Sequence, residues 1–237
     1  MNTEQARRTL VTGAGRGLGL EFVRELLKRG DLVVATVRDP RRAKPLQDLG
    51  DEHPRQLHVL RLDVADSATF PAFQAEVAAR LPALDLLINN AGILAGGERF
   101  GRLRASDLLD AFTTNAAGPL LLTQALTPLL QRGNNALVLN ISSVLGSIAS
   151  TEGFHTPSYA ISKAALNMVG ALLREPLAAA GIRVLNLHPG WVRTAMGGAG
   201  ATLDADVVAG SILDTLHKLP ASATGVFVDR HGQALPW

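Results

Sequence analysis

Short, mostly apolar stretches recur along this chain at Thr9–Val11, Leu32–Val37, Leu57–Leu62, Leu84–Ile88, Ala136–Ile141, Ile182–Leu187 and Val226–Val228. Between them lie segments with helical spacing: Leu20, Phe22, Val23, Leu26 and Leu27 up to Gly30, then Ser67 to Arg80, and later Asp204 to Leu219. Runs that do not alternate polar with apolar residues belong to strands buried on both faces, as in parallel sheets. Strand and helix in strict alternation require crossover connections, which are right-handed. The pattern therefore predicts a doubly wound, seven-stranded parallel sheet with helices on both faces, a Rossmann-type α/β fold. With 237 residues, 47% of them hydrophobic, one core can serve the whole chain, so residues 1–237 are read as a single domain.

Local signals sharpen the boundaries. Ser106 has the character of an N-cap for a long helix through Leu130, stopped by Gly133. Thr156 as N-cap with Pro157 in the first turn opens another helix, which Gly181 ends and Pro176 is expected to kink or fray. The polar stretch holding Pro40 and Pro45 is read as a loop around the sheet edge.

Composition excludes several kinds of chemistry. The chain has no cysteine, so disulfides, thiolate nucleophiles and Cys-ligated zinc are absent. Its six histidines show no ligand spacing, and no metal site is expected. A net charge of +2 with dispersed basic residues does not point to nucleic acid. The N-terminal stretch lacks a signal-peptide apolar region and no segment has the apolar length of a membrane span, so a soluble, cytoplasmic protein is expected.

Two patterns carry chemistry. Gly13, Gly17 and Gly19 follow the first strand and open the first helix, where backbone amides and the helix N-terminus can receive a pyrophosphate. A tight strand-to-helix turn without ligand has the same look, and the spacing differs from the G-x-G-x-x-G of larger dehydrogenases. Tyr159 and Lys163 stand four apart, hence on one helical face, where a cation favours the phenolate and would lower the phenol's pKa toward the working range. Taken alone, that spacing is a common accident on helices.

Taken together, Thr12-Gly13-x-x-x-Gly17-x-Gly19, Asn89-Asn90-Ala91-Gly92, Asn115, Ser143, Tyr159-x-x-x-Lys163 and Pro189-Gly190-x-Val192-x-Thr194 resemble the motifs of the short-chain dehydrogenases/reductases, in order and over essentially the whole chain. The stretches 35–40 and 188–198 and the Leu235-Pro236-Trp237 ending are similar to the carbonyl-reductase-like group that includes sniffer and the C-factor proteins. The resemblance implies hydride transfer between a nicotinamide and a carbonyl or secondary alcohol, with Tyr159 as general acid and base. It gives Lys163 the nicotinamide ribose and the tuning of Tyr159, Ser143 the substrate oxygen, and Asn115 a water in a proton relay from Lys163. It places Gly13, Arg16, Gly17, Leu18 and Gly19 at the phosphates, Asp63 and Val64 at the adenine, and Asn89, Ala91 and Gly92 along the adenosine ribose. Pro189, Gly190, Val192 and Thr194 would hold the carboxamide.

By the same resemblance, the position that selects NAD(H) through an acidic side chain is Val37, with Arg38 next, so NADP(H) is favoured over NAD(H). Asp39 is read as the cap of the turn before Pro40, and Arg41, Arg42 and Lys44 as a solvated face. Substrate recognition falls to loops 93–105, 144–156 and 191–203, with Leu145, Phe154, Trp191 and Met196 as apolar lining and Gly197, Gly198 and Gly200 as a lid. The alternative is a cofactor-binding signalling or redox-sensing protein whose dehydrogenase activity is incidental. Apolar residues on more than one face of helices 106–130 and 159–180 predict a homodimer or homotetramer.

Overall fold

A computed structural model describes residues 6–220 and 222–237. The first five residues of the stretch read for a leader lie outside the described residues. The strands are β1 (Arg8–Val11), β2 (Leu32–Val37), β3 (Leu57–Arg61), β4 (Leu86–Asn89), β5 (Leu137–Ile141), β6 (Arg183–His188) and β7 (Val226–Asp229). The helices are α1 (Gly17–Lys28), α2 (Lys44–Glu52), α3 (Phe70–Ala78), α4 (Ala105–Phe112), α5 (Gly118–Leu130), α6 (Pro157–Ala179) and α7 (Ala205–Lys218). All strands pair parallel in the order β3-β2-β1-β4-β5-β6-β7. The order reverses between β1 and β4, which opens a crevice at the carboxyl ends of the strands, where ligands bind in open α/β sheets.

Successive strand residues feed opposite faces, which is why the strands read as unbroken apolar runs. Val11, Ala35, Leu139 and Leu185 pack with Phe22 and Leu26 of α1 and Ile212 and Leu216 of α7. Their neighbours Leu10, Val34, Val138 and Val184 pack on the other face with Phe73 and Val77 of α3 and Leu122 and Leu126 of α5. At the opposite end of the sheet, Arg8 donates to both carboxylate oxygens of Asp85 (2.9 and 2.7 Å). Burial pushes Asp85 up, but its bonds from Arg8 and the Asn134 amide outweigh this and hold the carboxyl below its usual range.

The structure differs from the sequence reading in several local details. The stretch with Pro40 and Pro45 is a 3₁₀ turn, Pro40–Arg42, followed by α2, whose apolar residues Leu46 and Leu49 are buried; a proline in a first turn starts a helix rather than preventing one. Ser106 is not a cap: Arg104 holds that position in an extended conformation, and its guanidinium grips Asp107 at 2.8–2.9 Å. The long helix is present from Ala105 to Leu130, with a π-type turn at Thr113–Ala117 dividing it into α4 and α5. Thr156 is the N-cap of α6, but in the left-handed region (φ 40) and without a side-chain cap bond. Pro176 is accommodated, and α6 continues to Ala179.

Candidate active site

The glycine turn between β1 and α1 is shaped by contact as well as by torsion. Gly13 has φ 66, and a Cβ there would lie 2.8 Å from the Cα of Ala91, while a Cβ on Gly19 would lie 2.5 Å from Nδ2 of Asn90. The turn is thus pressed against the segment after β4. Thr12 Oγ1 accepts from the amides of Asn90 and Ala91 (both 3.0 Å), and Asn90 Nδ2 donates back to the Thr12 carbonyl at 2.9 Å. Arg16, the N-cap of α1, is extended and offers no side-chain cap bond, so the first turn of α1 presents its amides uncapped at the positive end of the helix dipole. A pyrophosphate fits that donor set. Gly17 and Gly19 allow close packing of the turn: Thr194, from the loop after β6, closes on Gly17 at 3.1 Å from where a Cβ would stand, and Gly19 backs onto Asn90 and the Gly13 carbonyl.

Around this cradle the other motif residues fall as follows. Leu18 and Val64 are buried in the two cores, and Asp63 is exposed with its carboxylate accepting from the Ala65 amide at 3.0 Å. Gly92, Pro189, Gly190 and Thr194 are partly open along the crevice, while Val192 is buried. Asn89 departs from expectation. Its side chain is 2% exposed, and Nδ2 donates to Asn140 Oδ1 (2.9 Å) and Thr123 Oγ1 (3.3 Å), away from the crevice. The next residue, Asn90, is the one turned toward the glycine turn, because adjacent residues at a strand end face opposite ways. At the end of β2, Val37 is buried, Arg38 is exposed, and Asp39 caps the 3₁₀ turn by accepting from the Arg41 amide at 3.1 Å.

Ser143, Tyr159 and Lys163 meet at the ends of β5 and α6. Ser143 leaves β5 in extended conformation and is buried, its Oγ accepting from the Leu145 amide at 3.2 Å. Lys163 is 4% exposed; its Nζ donates to the Ile141 carbonyl at 2.7 Å and lies 5.5 Å from the centroid of the Tyr159 ring. Burial pulls its pKa from 10.5 down to about 8. Tyr159 goes the opposite way from the sequence expectation. Burial pushes the phenol up to about 12, and hydrogen bonding by Ser143 offsets only part of that rise. The ammonium is lodged on a carbonyl beside the ring, so desolvation governs the phenol.

Asn115 sits in the π-type turn, fully buried, with its side chain committed: Oδ1 accepts from the Ile93 amide (2.8 Å), and Nδ2 donates to the Ile93 carbonyl and Ser162 Oγ (both 2.9 Å). Ser162 Oγ in turn donates to the Tyr159 carbonyl at 2.7 Å. The side chain is therefore a clamp between loop 93–105 and α6.

These elements decide the family. The family model described as short chain dehydrogenase matches residues 7–202. The chain belongs to the short-chain dehydrogenase family. Two solved structures share the fold of this short-chain dehydrogenase closely. Carbonyl reductase Sniffer of D. melanogaster is 34% identical with a TM-score of 0.93, and the NADPH-bound carbonyl reductase from chicken fatty liver is 38% identical with a TM-score of 0.93; each match covers 98% of this chain and 100% of the other. The C-signal protein of Myxococcus xanthus is 38% identical over 154 residues, 65% of this short-chain dehydrogenase and 93% of the relative.

Two loops that border the crevice are tied differently. Loop 93–105 is fastened to the start of α6, where Glu98 accepts from the Ser158 amide at 3.3 Å and the Phe100 ring meets Phe154 edge-on at 5.6 Å. The loop of residues 191–203 is fastened to itself: Trp191 Nε1 donates to the Gly197 carbonyl at 2.8 Å, and Arg193 bonds the Ala201 carbonyl and Asp204 at 3.0 and 2.7 Å. An apolar recess of about 250 Å³ beneath residues 144–156 is lined by Leu145, Ile148, Phe154 and Ile161, outside the Ser143–Tyr159 contact. A larger groove, about 510 Å³ between α1 and α7, is lined by Glu25, Arg29 and Asp214 and by none of the motif residues.

Proposed function

We propose that this protein is an NADP(H)-dependent carbonyl reductase. The observation that carries the reading is the convergence of Ser143, Tyr159 and Lys163 on the same sheet edge as the uncapped, glycine-lined start of α1. A bound nicotinamide cofactor would supply the hydride. Tyr159, with its pKa pushed up to about 12, keeps its proton at neutral pH and gives it to the carbonyl oxygen as the carbonyl carbon is reduced and a C–H bond forms. Ser143 Oγ donates to the same oxygen and holds it in line with the phenol. Lys163, the one buried ammonium beside the phenol, is placed to bind ribose hydroxyls and to stabilise the phenolate left after proton transfer.

The preference for NADP(H) is supported by the end of β2, where no carboxylate competes: Val37 is apolar, Asp39 is engaged with Arg41, and Arg38 is free in solvent to meet a 2′-phosphate. The NADPH bound to the chicken carbonyl reductase agrees with that choice. The likeness to C-signal suggests a signalling role instead, but a protein that only binds cofactor has no use for a proton donor and a paired serine. Turnover of a panel of aldehydes and ketones, followed with NADPH and NADH, tests both proposals. Carbonyl reduction with NADPH is expected, and no turnover with either cofactor would leave only the binding protein.

We further propose that the protein is a homodimer or homotetramer through α4 and α6. These helices leave Leu109, Met168 and Leu172 exposed at 64%, 59% and 67%, an apolar surface without a partner in one chain. Light scattering should give two or four times the monomer mass, and a monomer would remove the proposal.

A further inference from the structure

We propose that Asn167 is a positioning residue for the reaction: it ties the turn bearing Ser143 to the helix bearing Tyr159 and so sets the distance between the two hydroxyls. This rests on the carbonyl reduction proposed above. Asn167 lies one helical turn beyond Lys163 and is 3% exposed. Its side chain spans both ends of the Ser143 turn. Oδ1 accepts from Ser142 Oγ at 2.6 Å, and Nδ2 donates to the Gly146 carbonyl at 3.2 Å. The turn is flush with the helix at the same height, since a Cβ on Gly146 would lie 2.6 Å from the Lys163 carbonyl carbon and 2.8 Å from the Ala164 nitrogen. Ser143 is therefore held from before and behind by one side chain of the helix that carries its partner.

Asn167 is itself anchored to the sheet. Its carbonyl accepts from Asn186 Nδ2 at 3.1 Å; Asn186 Oδ1 accepts from Asn140 Nδ2, and Asn140 Oδ1 from Asn89 Nδ2, both at 2.9 Å. Asn89, Asn140 and Asn186 are directly opposite one another on β4, β5 and β6, and all are at most 2% exposed. A polar row of this kind in an apolar sheet is costly unless its members are bonded. Each strand-to-strand link is made, with Asn89 Oδ1 the one side-chain atom of the row left without a partner, and such a linked row resists sliding. Helix α6 is pressed onto it at Gly170, where no side chain fits against Asn186. The row fixes the height of α6 over the sheet, and Asn167 passes that height on to Ser143.

The chain contains a single tyrosine, so a ¹³Cζ-tyrosine label gives one NMR resonance, that of Tyr159, in the resting protein. In Asn167→Leu that resonance should move in the direction produced by Ser143→Ala, because both disturb the Ser143 hydroxyl beside the phenol. Kinetically, Asn167→Leu should lower kcat by about 10- to 100-fold, the range of a sub-ångström to ångström misplacement, with the KM for NADPH within about two-fold of the parent. The decisive comparison is the double variant: added to Ser143→Ala, Asn167→Leu should cost little more, since the group it positions is gone. An unmoved resonance, or a penalty undiminished in the Ser143→Ala background, overturns the proposal. Should Asn167→Leu not fold, Ser142→Ala removes one of the two bonds and must show the same signs at smaller size. A parent protein without carbonyl turnover would defeat the proposed function, and the resonance would still decide the Asn167 link.

Discussion

The two halves of the crevice are built from different materials. The half proposed to hold the cofactor, from β2 to β4, is made mostly of backbone: uncapped amides of α1 and glycines where side chains would collide, with the Thr12–Asn90 pair stapling two turns together. The half proposed to do the chemistry, from β4 to β6 and α6, is made of buried side chains, each hydrogen-bonded to the next, from Asn89 through Asn186 to Asn167 and from Asn115 through Ser162 to the Tyr159 carbonyl. Backbone can receive a phosphate with little dependence on neighbouring side chains. A phenol whose proton must meet one oxygen needs a fixed framework, and polar groups bonded one to the next inside an apolar core supply one. The difference teaches that binding and chemistry should fail separately.

The largest expected effect tests that separation. Tyr159→Phe removes the proton donor and should lower kcat/KM by about 10²- to 10⁴-fold while NADPH binding, followed by fluorescence, stays as in the parent. Loss of binding along with turnover would show that the halves are one unit. The converse variant, Arg38→Glu, belongs to the cofactor half. It should weaken NADPH by about 10- to 100-fold, the value of a charge-assisted contact to phosphate, and leave NADH and the saturated rate nearly unchanged. Equal weakening of both cofactors would remove Arg38 from the 2′-phosphate.

The same contrast explains what was legible in the sequence. Strand β2, Leu32–Val37, was readable to the residue because burial on both faces makes it apolar throughout, and the glycine spacing was readable because backbone geometry admits few substitutes. Helix α2 was hidden by Pro45, which lies in its first turn, and by a short apolar face of Leu46 and Leu49. The catalytic framework was less legible. Asn89 has its side chain in the asparagine row while its neighbour Asn90 has the outward place, a distinction of one residue that only strand pairing settles. One signal was available: Asn140 and Asn186 interrupt Leu137-Val138-Leu139 and Val184-Leu185, and a polar side chain within a fully buried run must have a partner. Which partner depends on register between strands 46 residues apart, and spacing does not encode it.

A smaller effect should come from the staple between the halves. Thr12→Val keeps the shape of a buried residue but leaves the Ala91 amide without its acceptor, while the Asn90 amide keeps the Ile88 carbonyl. An unmet donor in such a place costs about 1–3 kcal/mol. Denaturant unfolding should therefore show a lower midpoint, and NADPH affinity should fall with it, since the glycine turn rests on this contact. Unchanged stability would mean that packing of Gly13 on Ala91 suffices to hold the turn.

The smallest effect concerns the cost of the catalytic half to stability, and its sign can be worked out. Lys163 has its folded pKa pulled to about 8, below the 10.5 of an ordinary lysine, by burial. Between those two values the unfolded chain binds more protons than the folded one, so parent stability rises with pH through that window. Below about pH 8 the charged ammonium is buried at full cost. Lys163→Met should then be inactive yet more stable than the parent at pH 7, by about 1 kcal/mol once the loss of the bond to the Ile141 carbonyl is set against the relieved burial. The advantage should shrink as pH rises from about 8 past 10.5, above which the parent lysine is neutral in both states. Tyr159, raised to about 12, loses stability for parent and variant alike above pH 10 and so cancels in the comparison. Thermal melts of the two proteins across this range give the test: a difference independent of pH would mean that Lys163 is not strained by its burial, and that the catalytic half is held together as cheaply as the cofactor half.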